Sequence, residues 1–180
     1  MKRYLILACF ALLATALPVV AETRTADPHV HDFDFEFGPT WTAHLRLLGH
    51  RLAGAHDWID FHGTLLTHKL WSGQGNMSEL VVTNGKSNIV GGALHLYNPD
   101  THQWSVWFAN AITGTLGVPS IGHFEDGRGV LYDREPYNGK VVYVRQIFSN
   151  VSPHTFNFDQ AFSADKGKTW ETNLTIRYTR

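Results

Sequence analysis

From Trp41 onward, apolar residues recur at every second position in short runs, and each run is closed by Gly, Asn, Asp or Pro. Period two is the repeat of a β-strand, whose side chains point alternately to the two faces of a sheet. Trp41, Ala43, Leu45 and Leu47 alternate with Thr42, His44 and Arg46. The same pattern upstream, Phe33, Phe35 and Phe37 between Asp32, Asp34 and Glu36, predicts a strand there too. Further strands are predicted at Trp58–Leu70, Ser78–Thr83, Ile89–Tyr97, His102–Asn110, Ile121–Glu125, Val130–Glu135, Val141–Phe148, Thr155–Phe162 and Thr169–Tyr178. Only Leu47–Ala55 breaks the pattern, and a turn of helix would fit there.

The connections carry their own chemistry. Asn98-Pro99-Asp100-Thr101 presets a type I turn, Asp126-Gly127-Arg128-Gly129 tolerates positive φ, and Asn138-Gly139 is a hairpin dipeptide. Short connections between about nine to eleven strands describe an all-β, antiparallel meander. A long meander must dispose of its edges, and closing into a barrel does so more completely than a sandwich, the other architecture that fits. Phe, Tyr and Trp together number 23, more than a small barrel needs to plug its ends. Barrels of this size can keep an interior for one small ligand.

The N-terminus has a different pattern. Lys2 and Arg3 precede an apolar run from Tyr4 to Leu17, and Val19-Val20-Ala21 supplies small residues for cleavage, the layout of a signal peptide. The expected organisation is a signal peptide over 1–21, a flexible arm over 22–31 and a barrel domain over 32–180. The mature protein is then secreted or periplasmic, with no stable membrane anchor after cleavage. Cleavage would remove Cys9, the single cysteine, so catalysis would have to use oxygen or imidazole. A net charge of -1 and a pI near 6.8 give no electrostatic footprint for nucleic acid.

Phe33-Asp34-Phe35-Glu36-Phe37-Gly38-Pro39-Thr40-Trp41 resembles the first strand of lipocalin-like proteins of the calycin type, which open on a Phe-rich segment and a Gly-x-Trp. Here the spacing is Gly38-x-x-Trp41, one residue longer. Leu96-Tyr97-Asn98-Pro99-Asp100-Thr101, the aromatic strand Trp104–Asn110 and the terminal Trp170–Arg180 are similar to the DUF1579-type family of bacterial lipocalin-like domains. The resemblance covers nearly all of the mature chain. It implies a closed antiparallel barrel, often with a pocket for a small, largely apolar molecule, and no general activity.

Two functional readings follow. In the first, an exported barrel binds a small apolar or aromatic molecule, with Trp41, Trp104, Trp107, Asn110, His123, Tyr132 and Gln160 as candidate ligand contacts. In the second, a cofactor-independent isomerase, cyclase or lyase works by general acid/base transfer from His44, Glu79 or Asp133 beside Arg145, polar residues set among large apolar neighbours. Arg145 faces either solvent or a carboxylate inside. Both readings require a pocket, and the ligand reading asks for roughly 300 Å³ or more.

Other motifs narrow the choice. Ser163-Ala164-Asp165-Lys166-Gly167-Lys168-Thr169-Trp170 matches the Asp-box of sialidase propeller blades, but it occurs once, so it reads as a self-stabilised hairpin turn. Gly-x-Ser-x-Gly, dinucleotide and phosphate loops are missing. The eleven histidines include no His-Glu-x-x-His, and His62 and His68 lie about 20 Å apart along an extended strand. Asp60 and His62 share a face and could touch. No cofactor is required and no metal site is assigned. Non-covalent heme on one axial His would leave no mark in the sequence, and His123 between Gly122 and Phe124 is one apolar-flanked candidate.

Overall fold

The structure is a computed structural model that describes residues 27–180; the predicted signal peptide over Met1–Ala21 lies outside the described residues. The strands are β1 (Trp41–Leu48), β2 (Trp58–Leu70), β3 (Gly75–Thr83), β4 (Asn88–Asn98), β5 (Gln103–Asn110), β6 (Thr115–Leu116), β7 (Ser120–Glu125), β8 (Arg128–Tyr137), β9 (Lys140–Ser149), β10 (Thr155–Ser163) and β11 (Glu171–Thr179). Each long strand pairs antiparallel with the next, β5 passes to β7, and β11 returns to β1, so ten strands close into a barrel. The two residues of β6 flank the end of β5.

Register follows the hydrophobic alternation, because a slip of one residue would turn every apolar side chain outward. Trp41, Ala43 and Leu45 of β1 face inward and pack with Phe61, Leu65, Leu80, Val82, Phe156, Ile176 and Tyr178. A second buried cluster joins Trp104, Val106, Phe124, Leu131 and Phe148. Glycine lets neighbouring strands pass closely: a Cβ on Gly92 would sit 1.8 Å from the Ser78 carbonyl oxygen, one on Gly63 1.9 Å from that of Val81, and one on Gly122 2.0 Å from that of Val130. Asn138 and Gly139 both take positive φ in the β8–β9 hairpin, as their dipeptide predicts.

One predicted strand is replaced. Phe33–Phe37 is not extended; Pro28–His31 and Asp34–Glu36 form two 3-10 turns. Alternation of Phe and acid fits a strand, but a three-residue turn puts positions i and i+3 on one side, and here Phe33 and Glu36 are the buried pair. The resulting strap crosses one end of the barrel. It is fastened by the Trp41 indole N–H to the Glu36 carbonyl at 2.9 Å, the Trp104 indole N–H to the His29 carbonyl at 3.1 Å, and the Arg180 guanidinium to the Phe37 carbonyl at 2.8 Å. At its start the Tyr97 hydroxyl donates to Asp27 at 2.6 Å and the His102 ring lies 2.5 Å from the same oxygen. Chiefly through the Tyr97 hydrogen bond, the Asp27 carboxyl is held down at about 2.

At the opposite end, the β1–β2 loop forms hydrogen-bonded turns rather than helix. Its Leu52 and Gly54 amides donate to the Glu171 carboxylate, and Leu52 packs on Val142, Val144 and Phe162.

Candidate functional site

Beneath the strap the barrel encloses a cavity of about 80 Å³, lined by Leu65, Leu80, Val106, Phe148, Phe156, Phe158 and Ile176, with Glu36, Ser78, His95, Gln146 and Tyr178 as its polar members. Each arrives by local necessity. The 3-10 turn carries Glu36 inward. His95 shares the inward face of β4 with Ala93, two residues away. Gln146 lies on the face of β9 that also carries Phe148, and Tyr178 on the face of β11 that carries Ile176.

His95 is 1% exposed and neither ring nitrogen has a hydrogen-bond partner. Its ring stacks on Phe33 with centroids 4.2 Å apart, and Phe33 is boxed edge-on by Trp104, Phe124 and Phe148. Glu36 Oε2 lies 3.8 Å from His95 Nδ1, beyond hydrogen-bond distance. Glu36 itself is 3% exposed and accepts one hydrogen bond, from the Thr67 hydroxyl at 3.2 Å.

Burial decides the charge state of the pair. Loss of water, opposed in part by the Thr67 hydroxyl, pushes the Glu36 carboxyl up to about 8, and burial pushes the His95 imidazole down to about 3. Burial, with the Glu36 charge added, also raises the Tyr178 phenol. Between about 3 and 8 the pair is therefore a carboxylic acid beside a neutral imidazole, not an ion pair. An ionised pair here would have to offset two desolvation penalties with one contact longer than a hydrogen bond. The Gln146 Oε1 atom is likewise buried without a partner, whereas Ser78 Oγ is satisfied by the Ala93 amide at 3.0 Å. The cavity is thus lined by both donors and acceptors, with the two His95 nitrogens and Gln146 Oε1 left unpartnered.

The residues singled out from the sequence are distributed differently. Trp41 and Trp104 are core walls of the interior. Gln160 faces Gln146 across β9 and β10. Asp133 faces inward at the far end, accepting from the Ser120 hydroxyl, with burial raising its pKa. The rest lie on the outer wall. His44 is half-buried, with Nε2 2.7 Å from Asp60 and its ring stacked on His62 at 4.5 Å, so Asp60 pairs with His44 and Arg46 and not with His62. Glu79 borders a groove of about 470 Å³ with Met77, Val81, Val90 and Leu116; Asn110 also lines it while capping the Ile112 and Thr113 amides.

Arg145 lies outside, its guanidinium 4.5 Å over the Trp170 ring, where Tyr132 is also exposed. Trp107 is half-buried on the outer face of β5, and His123 is exposed beside Glu125, Asp126 and Arg128. His44, Glu79, Asp133 and Arg145 are thus not brought together. The Ser163–Trp170 motif is a turn in which Asp165 accepts from the Thr169 amide at 2.9 Å and hydroxyl at 2.7 Å.

Among the described residues no group of three or more His, Asp or Glu is placed to hold a metal ion. The enclosed space, about 80 Å³, falls far short of the roughly 300 Å³ that the ligand reading asks for, so that expectation is not met: the interior does not fit a heme and leaves room only for a guest of a few heavy atoms.

These elements define an all-β, lipocalin-like barrel protein. The fold matches the solved structure of the S-type phycobiliprotein lyase of Guillardia theta with a TM-score of 0.55, over 82% of this chain and 89% of that one, at 11% identity. At that identity the likeness concerns the fold. No family model matches the chain, and no curated protein matches it.

Proposed function

We propose that the protein is an exported lipocalin-like carrier that holds a small, neutral, largely apolar molecule at the strapped end of its barrel. The observation that supports this most is His95, a fully buried imidazole with two unpartnered nitrogens lining a cavity whose wall is otherwise apolar. Buried polar groups are ordinarily hydrogen-bonded, and an unmet one costs about 1–3 kcal/mol. A guest that meets them recovers that cost. No Lys or Arg lines the cavity, so an anionic guest would have no counter-charge. Its volume is smaller than the roughly 150 Å³ apolar hollow that accepts benzene, which limits the guest to a few heavy atoms unless the strap yields. Export is supported by the charged and apolar pattern of Met1–Ala21.

Native mass spectrometry of protein recovered gently from the exported fraction tests this reading. The expected result is an N-terminus at Glu22 and a retained small neutral mass that is lost on denaturation. Ala93→Leu, which fills the cavity from β4, should abolish that mass while the variant still folds. Equal retention by the filled variant would place the guest elsewhere, and an N-terminus at Met1 would contradict export.

A further inference from the structure

We infer that the strapped cavity is also a proton-transfer site for a small neutral α-hydroxy ketone, in which Glu36 moves the carbon-bound proton and His95 holds the carbonyl oxygen. This rests on the proposed binding of a neutral guest. Two groups with unmet atoms, His95 and Gln146, and a Glu36 carboxyl that accepts only the Thr67 hydroxyl specify the class. His95 offers an N–H to a carbonyl oxygen and a second nitrogen that accepts a proton; the Glu36 carboxyl lies 3.8 Å from the ring; and Gln146 Oε1 accepts from a hydroxyl. A ketone with a hydroxyl on the adjacent carbon supplies an acceptor, a donor and an acidic C–H within a few heavy atoms.

The step balances without a co-reactant. Ionised Glu36 takes the proton from the hydroxyl-bearing carbon, and the C–H electron pair becomes a C=C bond while the carbonyl oxygen becomes an oxyanion. His95 donates its N–H proton to that oxygen and receives the hydroxyl proton on its other nitrogen. Glu36 returns its proton to the former carbonyl carbon, leaving the isomeric hydroxy aldehyde. A neutral imidazole serves here because it takes the hydroxyl proton on one nitrogen as it gives the N–H proton from the other and so ends neutral, and a carboxyl titrating near 8 is a stronger base than an ordinary one. The titratable groups that face Glu36 are His95 from β4 and Tyr178 from β11, with the Thr67 hydroxyl from β2. The other carboxylates of the strap are paired away from Glu36: Asp27 with His102, Asp32 with His29, and Asp34 with His31 and with Lys69 of β2.

The test uses the mature chain and hydroxyacetone in D2O, followed by proton NMR. The expected result is exchange at the hydroxymethyl carbon at least about 100-fold above buffer, with lactaldehyde appearing and the rate rising to a plateau above pH 8. Glu36→Gln should lose that acceleration. Thr67→Val, which keeps shape but removes the hydrogen bond that lowers the Glu36 pKa, should keep activity and shift the profile to higher pH. Saturable shifts at the Ala93 methyl without exchange above buffer would overturn the proton transfer and leave binding intact. Neither shifts nor exchange would overturn both, and would mean that water alone fills the cavity. Undiminished exchange in Glu36→Gln, or a Thr67→Val profile that does not move, would overturn the role of Glu36.

Discussion

Two histidine–carboxylate pairs in this barrel make opposite use of the same chemistry. On the outer wall His44 and Asp60 approach to 2.7 Å, yet both are close to half exposed and share their charges with Arg46 and water. Inside, His95 and Glu36 stand 3.8 Å apart and almost wholly buried, with the Thr67 hydroxyl on Glu36 and no hydrogen-bond partner on His95. Exposed pairs contribute about 0–1 kcal/mol because solvent screens them. The buried pair is neutral instead of ionised, and its protonation state is coupled to folding and to any guest. The shorter contact is the less consequential one.

Several substitutions sharpen that contrast. Phe33→Ala would empty the box formed by His95, Trp104, Phe124 and Phe148, and should cost about 3–5 kcal/mol in urea unfolding; a cost below about 1 kcal/mol would mean that the strap is not part of the core.

The pH dependence is the next largest effect. Glu36 has a folded pKa raised from 4.5 to about 8, so its contribution is fully present below 4.5 and is lost as pH rises toward 8, where the unfolded chain has already released the proton. His95, lowered from 6.5 to about 3, acts in reverse: its contribution is present above 6.5 and is lost as pH falls toward 3. The two slopes oppose each other between 4.5 and 6.5. From 6.5 to 8 the Glu36 loss dominates this pair, on the order of 2 kcal/mol at about 1.4 kcal/mol per unit. Unfolding measured across that window should fall in the wild type and stay flatter in Glu36→Gln. Last and smallest, His44→Ala should change stability by less than about 1 kcal/mol and leave guest retention untouched; a larger loss of retention would move the site to the outer wall.

The barrel was legible because its evidence is periodic. Trp58–Leu70 is predicted with the bounds the strand has, although Trp58-Ile59 and Leu65-Leu66 interrupt its alternation, and Asn138-Gly139 marks the hairpin after β8. Phe33–Phe37 misled for the same reason, since alternation of large and charged residues does not distinguish a strand from a short 3-10 turn that buries every third position. The interior site was harder. Glu36 belongs to that misread segment. His95, flanked by Leu94 and Leu96, carried the same apolar-flanked signal as His123, yet only the sheet's register puts the first inside and the second outside. Arg145 could not be placed from sequence because both faces of β9 are apolar, and the turn that brings Trp170 beneath its guanidinium lies about twenty residues away.

The central claim is that guest chemistry belongs to the buried pair and not to the exposed one. Titrating the protein with acetone, a neutral four-heavy-atom carbonyl compound, while following the Ala93 methyl and the imidazole resonances of His95, His44 and His62, tests it directly. The account predicts saturating shifts at Ala93 and His95 with His44 and His62 unmoved. Shifts confined to His44 and His62, or none at Ala93 and His95, would contradict it.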